Sequence, residues 1–160
     1  MNRVISCVQI NSQHSKAASI ELSKKDVEIL FITEPYQIRN KVSTLINRSQ
    51  SQVLAAEGAH KPRAALRVRQ DLHPWIVTDF TEADMCVASI KIKNQEVYVC
   101  SLYLDILREV QLPIFLRLVE WCNRERMPLV IGIDSNANSP MRGSKEHNVQ
   151  GEELEEIFFG

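Results

Sequence analysis

The chain has 160 residues with a formal net charge of −1, a length that fits one domain and a charge that rules out a global basic field for nucleic acid. Hydrophobic residues make up 44% and charged residues 24%, values of a soluble globular protein that argue against disorder and against a fibre. The N-terminus lacks the long apolar stretch of a secretory signal, no apolar run approaches membrane-spanning length, and the chain is expected to be intracellular, nuclear or cytoplasmic.

Arg3 to Gln9 reads as a first strand alternating around Val4, Cys7 and Val8, with Asn11 closing it. Ser15 is placed as the N-cap of a short helix through Ala17, Ala18 and Leu22. Val27 to Thr33 holds the apolar run Ile29–Ile32, which fits a strand buried on both faces, and it stops at Glu34-Pro35. Residues 36–50 read as a surface loop with a helical turn near Val42 to Ile46. Short strands follow at Gln52–Ala56 and Ala64–Val68 around a turn at Gly58, and another at Trp75–Val77. Met85–Ile92 and Val97–Tyr103 are longer strands joined by a hairpin turn at Lys93-Asn94-Gln95.

Pro113 opens the clearest helix, with Ile114, Phe115, Leu118, Val119 and Cys122 forming one apolar stripe. Pro128 ends it, and Leu129–Ile133 reads as a second buried strand ending at Asp134-Ser135-Asn136. A loop through His147 and an acidic helix from Gly151 to Phe158 complete the reading. Strands dominate and helices fall between some of them, which predicts two layered sheets with helices outside, an α/β sandwich. Cys7, Cys86, Cys100 and Cys122 show no metal-binding spacing and are expected to be buried, reduced thiols.

Two buried strands each end in an acid, Glu34 and Asp134. Brought together, such acids repel each other and favour a hard divalent cation such as magnesium, which also accepts water and phosphate oxygen. Each acid taken alone is more often a cap of its strand or of the following turn. Asn11 and Asn136 could bring amides to the same place, but Asn also forms turns, and spacing does not separate the two roles. Tyr103, at a strand end, suits either a hydrogen bond to phosphate or plain packing, and Asp105 beside it is a further acid or a loop residue. Arg63, Arg67 and Arg69 share a parity, so one strand face would carry all three, as a phosphate-binding patch or a solvated face.

Several segments occur in a telling order: Val8-Gln9-Ile10-Asn11, His14-Ser15-Lys16-Ala17-Ala18, Ile32-Thr33-Glu34-Pro35-Tyr36, Pro62-Arg63-Ala64-Ala65, Ser101-Leu102-Tyr103 and Ile131-Gly132-Ile133-Asp134-Ser135-Asn136-Ala137. Arg142-Gly143-Ser144 and Gly151-Glu152-Glu153-Leu154 follow. With these the chain resembles the endonuclease domain of arthropod-type non-LTR retrotransposons, within the endonuclease/exonuclease/phosphatase superfamily. The resemblance implies a four-layered α/β sandwich over residues 1–160 that nicks DNA with magnesium, or manganese in its place. It implies Glu34 as main metal ligand, Asn11 and Asp134 organising metal, phosphate and water, Asn136 positioning the scissile phosphate, and Tyr103 bracing it. DNA is the implied substrate, and the reverse transcriptase portion of the same polyprotein the implied partner.

The sequence also departs from that pattern. The Ser-Asp-His strand of the family, and an earlier Asp of the same region, have no counterpart before Gly160, so the domain is expected to lack its C-terminal strands and to be impaired. Gln13 stands where many members carry an acid, and Asn138 where a His is common. Two rival readings follow: a decayed or domesticated binding or scaffold module without turnover, and a phosphoesterase of the same superfamily acting on a substrate other than DNA.

Overall fold

The computed structural model describes residues 3–58, 60–104 and 112–135, and everything below concerns these. The expected site residue Asn136, together with Asp105, Asn138, the loop through His147 and the acidic helix, lies outside them.

The order of elements is β1 (Cys7–Asn11), α1 (Lys16–Ser23), β2 (Ile29–Thr33), β3 (Gln37–Ile38), β4 (Lys41–Val42), β5 (Ser51–Ala55), β6 (Ala64–Arg69), β7 (Trp75–Ile76), β8 (Met85–Ile92), β9 (Gln95–Leu104), α2 (Leu112–Glu125) and β10 (Leu129–Ser135). Short 3-10 turns follow β4, β6 and β7. One sheet runs β1-β2-β6-β5 and the other β10-β9-β8-β7, with β3 and β4 as a separate small hairpin.

Alternation along the strands builds the layers. Ile29, Phe31, Leu66 and Val68 of the first sheet meet Cys86, Ala88, Ile90 and Val99 of the second in the central core. The opposite faces turn outward. Leu30, Ile32 and Ala65 pack with Leu22 of α1 and Ile46. Met85, Val87, Cys100 and Leu102 pack with Phe115, Leu118 and Cys122 of α2. The result is helix, sheet, sheet, helix: the expected four-layered α/β sandwich. Two side chains stitch the sheets, the Ser101 hydroxyl donating 3.0 Å to the Ile32 carbonyl and the Cys86 thiol 3.3 Å to that of Leu54.

Local chemistry sets the boundaries. Ser15 caps α1 by accepting from the Ala18 amide at 3.1 Å. Lys93 takes a positive φ of 57° in the β8–β9 turn. Some expectations need correction. β1 begins at Cys7 rather than Arg3, and Val4, Cys7 and Val8 are exposed, because β1 is an edge strand paired only with β2. Cys7 is therefore an exposed thiol, while Cys86, Cys100 and Cys122 are buried. β10 is not buried on both faces, since Val130 is exposed. The loop after Pro35 holds the β3–β4 hairpin, whose two-residue strands carry no readable period.

Candidate active site

Strand direction collects the polar strand ends at one edge of the sandwich. β1 and β2 run parallel, with Asn11 opposite Thr33, and β10 and β9 run parallel, with Asp134 opposite Tyr103. β6 and β8 are antiparallel to these neighbours, so their N-terminal ends, next to Arg63 and Asp84, arrive at the same edge.

The two sheets touch there. The Asn11 Nδ2 donates 2.7 Å to Asp134 Oδ2, and the Thr33 hydroxyl donates 2.8 Å to the same oxygen. Gly132, two residues earlier on the same face of β10, makes this approach possible. A Cβ at Gly132 would lie 2.6 Å from both Cβ and Cγ of Phe31 on β2. Only glycine lets the backbones come so close.

Glu34 follows Thr33 directly and takes a positive φ of 47°, a conformation that costs a non-glycine residue energy and needs support. The support is dense. The Glu34 amide donates 2.9 Å to the Arg63 carbonyl, while its own carbonyl accepts from the Ser12 hydroxyl at 2.8 Å and the His14 amide at 2.7 Å. Asn11 Oδ1 accepts from the Gln13 amide at 2.8 Å, an Asx-turn that shapes the same loop. Gln13 and His14 both take positive φ there. His14 places Nδ1 3.1 Å from the Pro35 carbonyl and Nε2 3.8 Å from Glu34 Oε1.

On the other side, the Arg63 guanidinium grips Asp84 through two hydrogen bonds, Nε to Oδ1 at 2.6 Å and Nη2 to Oδ2 at 2.7 Å. The same guanidinium carbon lies 4.8 Å from the centre of the Tyr103 ring.

Asn11 and Asp134 are thus in direct contact, Glu34 is the neighbour of the Thr33 that holds Asp134, and Tyr103 is registered beside Asp134. The three arginines do not form one face. Arg63 turns to Asp84 of the second sheet. Arg69 donates to Asp71 at 2.8 and 2.6 Å, and that pairing holds the Asp71 carboxyl well below the usual carboxylate range. Arg67 is 0% exposed and donates to the Leu22, Ile46 and Lys25 carbonyls, which takes it out of the expected phosphate-facing set. The face of β6 that carries Arg67 is covered by α1 and the 3-10 turn at Thr44–Ile46.

Thr33, His14 and Asp84 were not singled out from sequence. Thr33 carried a faint signal as a hydroxyl ending an apolar strand. The other two are defined by partners remote in the chain.

Comparisons with family models and with curated proteins find no match in either. Among solved structures, the chain is similar to the endonuclease domain of TRAS1, a telomere-specific non-LTR retrotransposon. The TM-score is 0.71 at 24% identity, over 94% of this chain and 68% of that one. A humanized D. rerio TDP2 carrying 14 mutations aligns with TM-score 0.48 and 12% identity, over 91% of this chain and 68% of that one. The chain therefore has the fold of a non-LTR retrotransposon endonuclease domain. No described helix is long and apolar enough to cross a membrane.

Proposed function

We propose that the chain is a divalent-metal-dependent endonuclease domain that nicks DNA, as in the retrotransposon domain whose fold it shares. One observation carries the reading. Asp134 Oδ2 accepts from Asn11 and Thr33 across the sheet interface, which brings the Asp134 and Glu34 strand ends to one edge of the sandwich.

The donor chemistry there fits magnesium, or manganese in its place. Glu34 and Asp134 offer carboxylate oxygens, Asn11 an amide oxygen, and no cluster of three or more His, Cys, Asp or Glu able to hold a metal exists among the described residues. Magnesium takes one or two carboxylates and completes its shell with water and substrate phosphate. When bound, it supplies positive charge that stabilises the phosphoryl group and the departing oxygen.

The chain's own residues do the rest by placement. Asn11 and Thr33 fix the direction of the Asp134 carboxylate. The Ser12, His14 and Arg63 backbone contacts hold Glu34 in its strained conformation before substrate arrives, so little reorganisation is left to the reaction. Tyr103 offers a phenol at the same edge for a phosphate oxygen, and Asn136 an amide two residues beyond Asp134. DNA is the substrate, the nick leaves a 3′ hydroxyl for priming, and the reverse transcriptase portion of the same polyprotein is the partner that uses it.

The test is nicking of supercoiled plasmid with magnesium and with EDTA. Open circles that need magnesium, and that fall about 100-fold or more with Glu34→Ala or Asp134→Ala, are expected. Nicking indifferent to both substitutions contradicts the site. Salt-sensitive DNA binding with no cleavage would instead favour a binding module.

A further inference from the structure

We infer that Arg63 and Asp84 are a positioning pair that sets Tyr103 and Glu34 for the reaction, an inference that rests on the nuclease reading above. Arg63 leads into β6 of the first sheet, and Asp84 leads into β8 of the second. Their two-pronged ion pair therefore bridges the sheets at the edge where the candidate residues lie.

Backbone bonds tie the same two residues and their chain neighbours to each other and to the site. The Arg63 amide donates 2.6 Å to the Ala83 carbonyl, and the Ala64 amide donates 3.1 Å to it as well. The Arg63 carbonyl accepts from the Glu34 amide at 2.9 Å, and the Asp84 carbonyl accepts from the Tyr103 amide at 2.9 Å. The backbone of Arg63 thus carries Glu34, and that of Asp84 carries Tyr103. The side-chain pair ties these two supports together.

The guanidinium also lies over the Tyr103 ring, 4.8 Å from its centre. One cation meets a carboxylate through two N–H groups and lies over an aromatic ring, a combination that suits the fork of arginine. The pair is well shielded, with the Arg63 and Asp84 side chains 21% and 12% exposed. Loss of either partner removes the two-pronged bond that fixes the other. Tyr103 would then lose its clamp, and the Glu34 turn one of its anchors.

This role is separable from direct phosphate contact by Arg63. A phosphate contact sets DNA affinity and the salt dependence of binding, whereas a positioning pair sets turnover. Arg63→Lys keeps the charge but loses the fork and the flat face. Asp84→Asn keeps the shape but removes the anion that holds the fork.

The experiment measures kcat, KM and the salt slope of plasmid nicking for wild type, Arg63→Lys, Asp84→Asn and the double variant. Near-ultraviolet circular dichroism checks that each is folded. Each single variant is expected to lower kcat about 10- to 100-fold, as loss of supporting hydrogen bonds commonly does. KM and the salt slope should hold, and the double variant should be no worse than either single one. An unchanged kcat, or a change confined to KM and the salt slope, overturns the inference while leaving the nuclease reading intact. Tyrosine ring carbon-13 NMR reads the clamp without turnover. Arg63→Lys is expected to move the Tyr103 signal and leave those of Tyr36 and Tyr98 in place. That shift in a protein with no nicking activity would sink the nuclease reading alone, and its absence would sink the clamp in either case.

Discussion

The Thr33 hydroxyl donates to Asp134 Oδ2 at 2.8 Å, although the two residues stand 101 positions apart and belong to different sheets. That contact joins the carboxyl ends of β2 and β10 and, with Asn11, fixes the carboxylate. Thr33 is fully buried, so Thr33→Val changes little but the hydroxyl. Stability is expected to fall by about 1 kcal/mol, and nicking by about 10- to 100-fold. Urea unfolding and plasmid assays on the same preparation check the split; equal, small effects on both would speak against an orienting role.

Gly132 makes that contact reachable. Gly132→Ala puts a methyl group into the Phe31 side chain, where its Cβ would sit 2.6 Å from Phe31 Cβ and Cγ. Phe31 Cβ is fixed to the β2 backbone and cannot swing aside, so β10 must shift away from β2. A loss of about 1–3 kcal/mol is expected on denaturant unfolding, with nicking reduced further than unfolding accounts for. Wild-type stability in the variant would mean that the sheets are looser here than the contact implies.

Arg67 supplies three hydrogen bonds, to the Leu22 carbonyl of α1, the Lys25 carbonyl just past it and the Ile46 carbonyl of the 3-10 turn after β4, at 2.7, 2.7 and 3.2 Å. It does so without a carboxylate partner among these bonds, and burial pulls its pKa below the usual arginine value. Arg67→Met strips these carbonyls of three hydrogen bonds, the Leu22 carbonyl keeping the Lys25 amide at 3.1 Å, at a cost of about 2–4 kcal/mol. In the folded variant the salt slope of DNA binding should match wild type, because the guanidinium does not reach the surface. A slope reduced by about one ion would return Arg67 to the phosphate-binding set.

Acid stability should carry the signature of Asp71 and Glu28. Hydrogen bonds from Arg69 and then Arg3 lower the Asp71 pKa, and those from the Ser6 hydroxyl and amide lower that of Glu28. Both groups bind protons less readily folded than unfolded, so their stabilisation is complete above the ordinary carboxylate range near pH 4. It is lost as pH falls through the folded values. Asp71→Asn is expected to lower Tm slightly at pH 7, with the gap to wild type narrowing below about pH 4. Half the Asp71 side chain is in water, so the effect is small. A gap that widened on acidification would reverse the assigned sign.

Much of the scaffold was legible because long strands and amphipathic helices announce themselves. Met85–Ile92 was bounded correctly from its apolar run and turn, the α2 stripe from its period, and α1 from the Ser15 cap. β1 was misplaced because the alternation read around Val4, Cys7 and Val8 does not correspond to burial in this edge strand. Arg67 shows the limit of parity: a period of two assigns a side to each residue but says nothing of what packs on that side. Asn11, Glu34 and Asp134 stood out as polar ends of apolar runs. That Asn11 and Asp134 touch, and that Thr33 and the Arg63–Asp84 pair hold the edge together, follows from strand order and sheet stacking, which no local pattern encodes.

If Glu34 and Asp134 serve one cation, manganese is a direct reporter of that shared site. Titrating manganese into the nitrogen-15-labelled protein should broaden the amide signals of residues around Asn11, Glu34, Tyr103 and Asp134 first. Glu34→Gln and Asp134→Asn should each abolish that selective broadening. Broadening centred elsewhere, or unchanged by both substitutions, would contradict the shared-ion site.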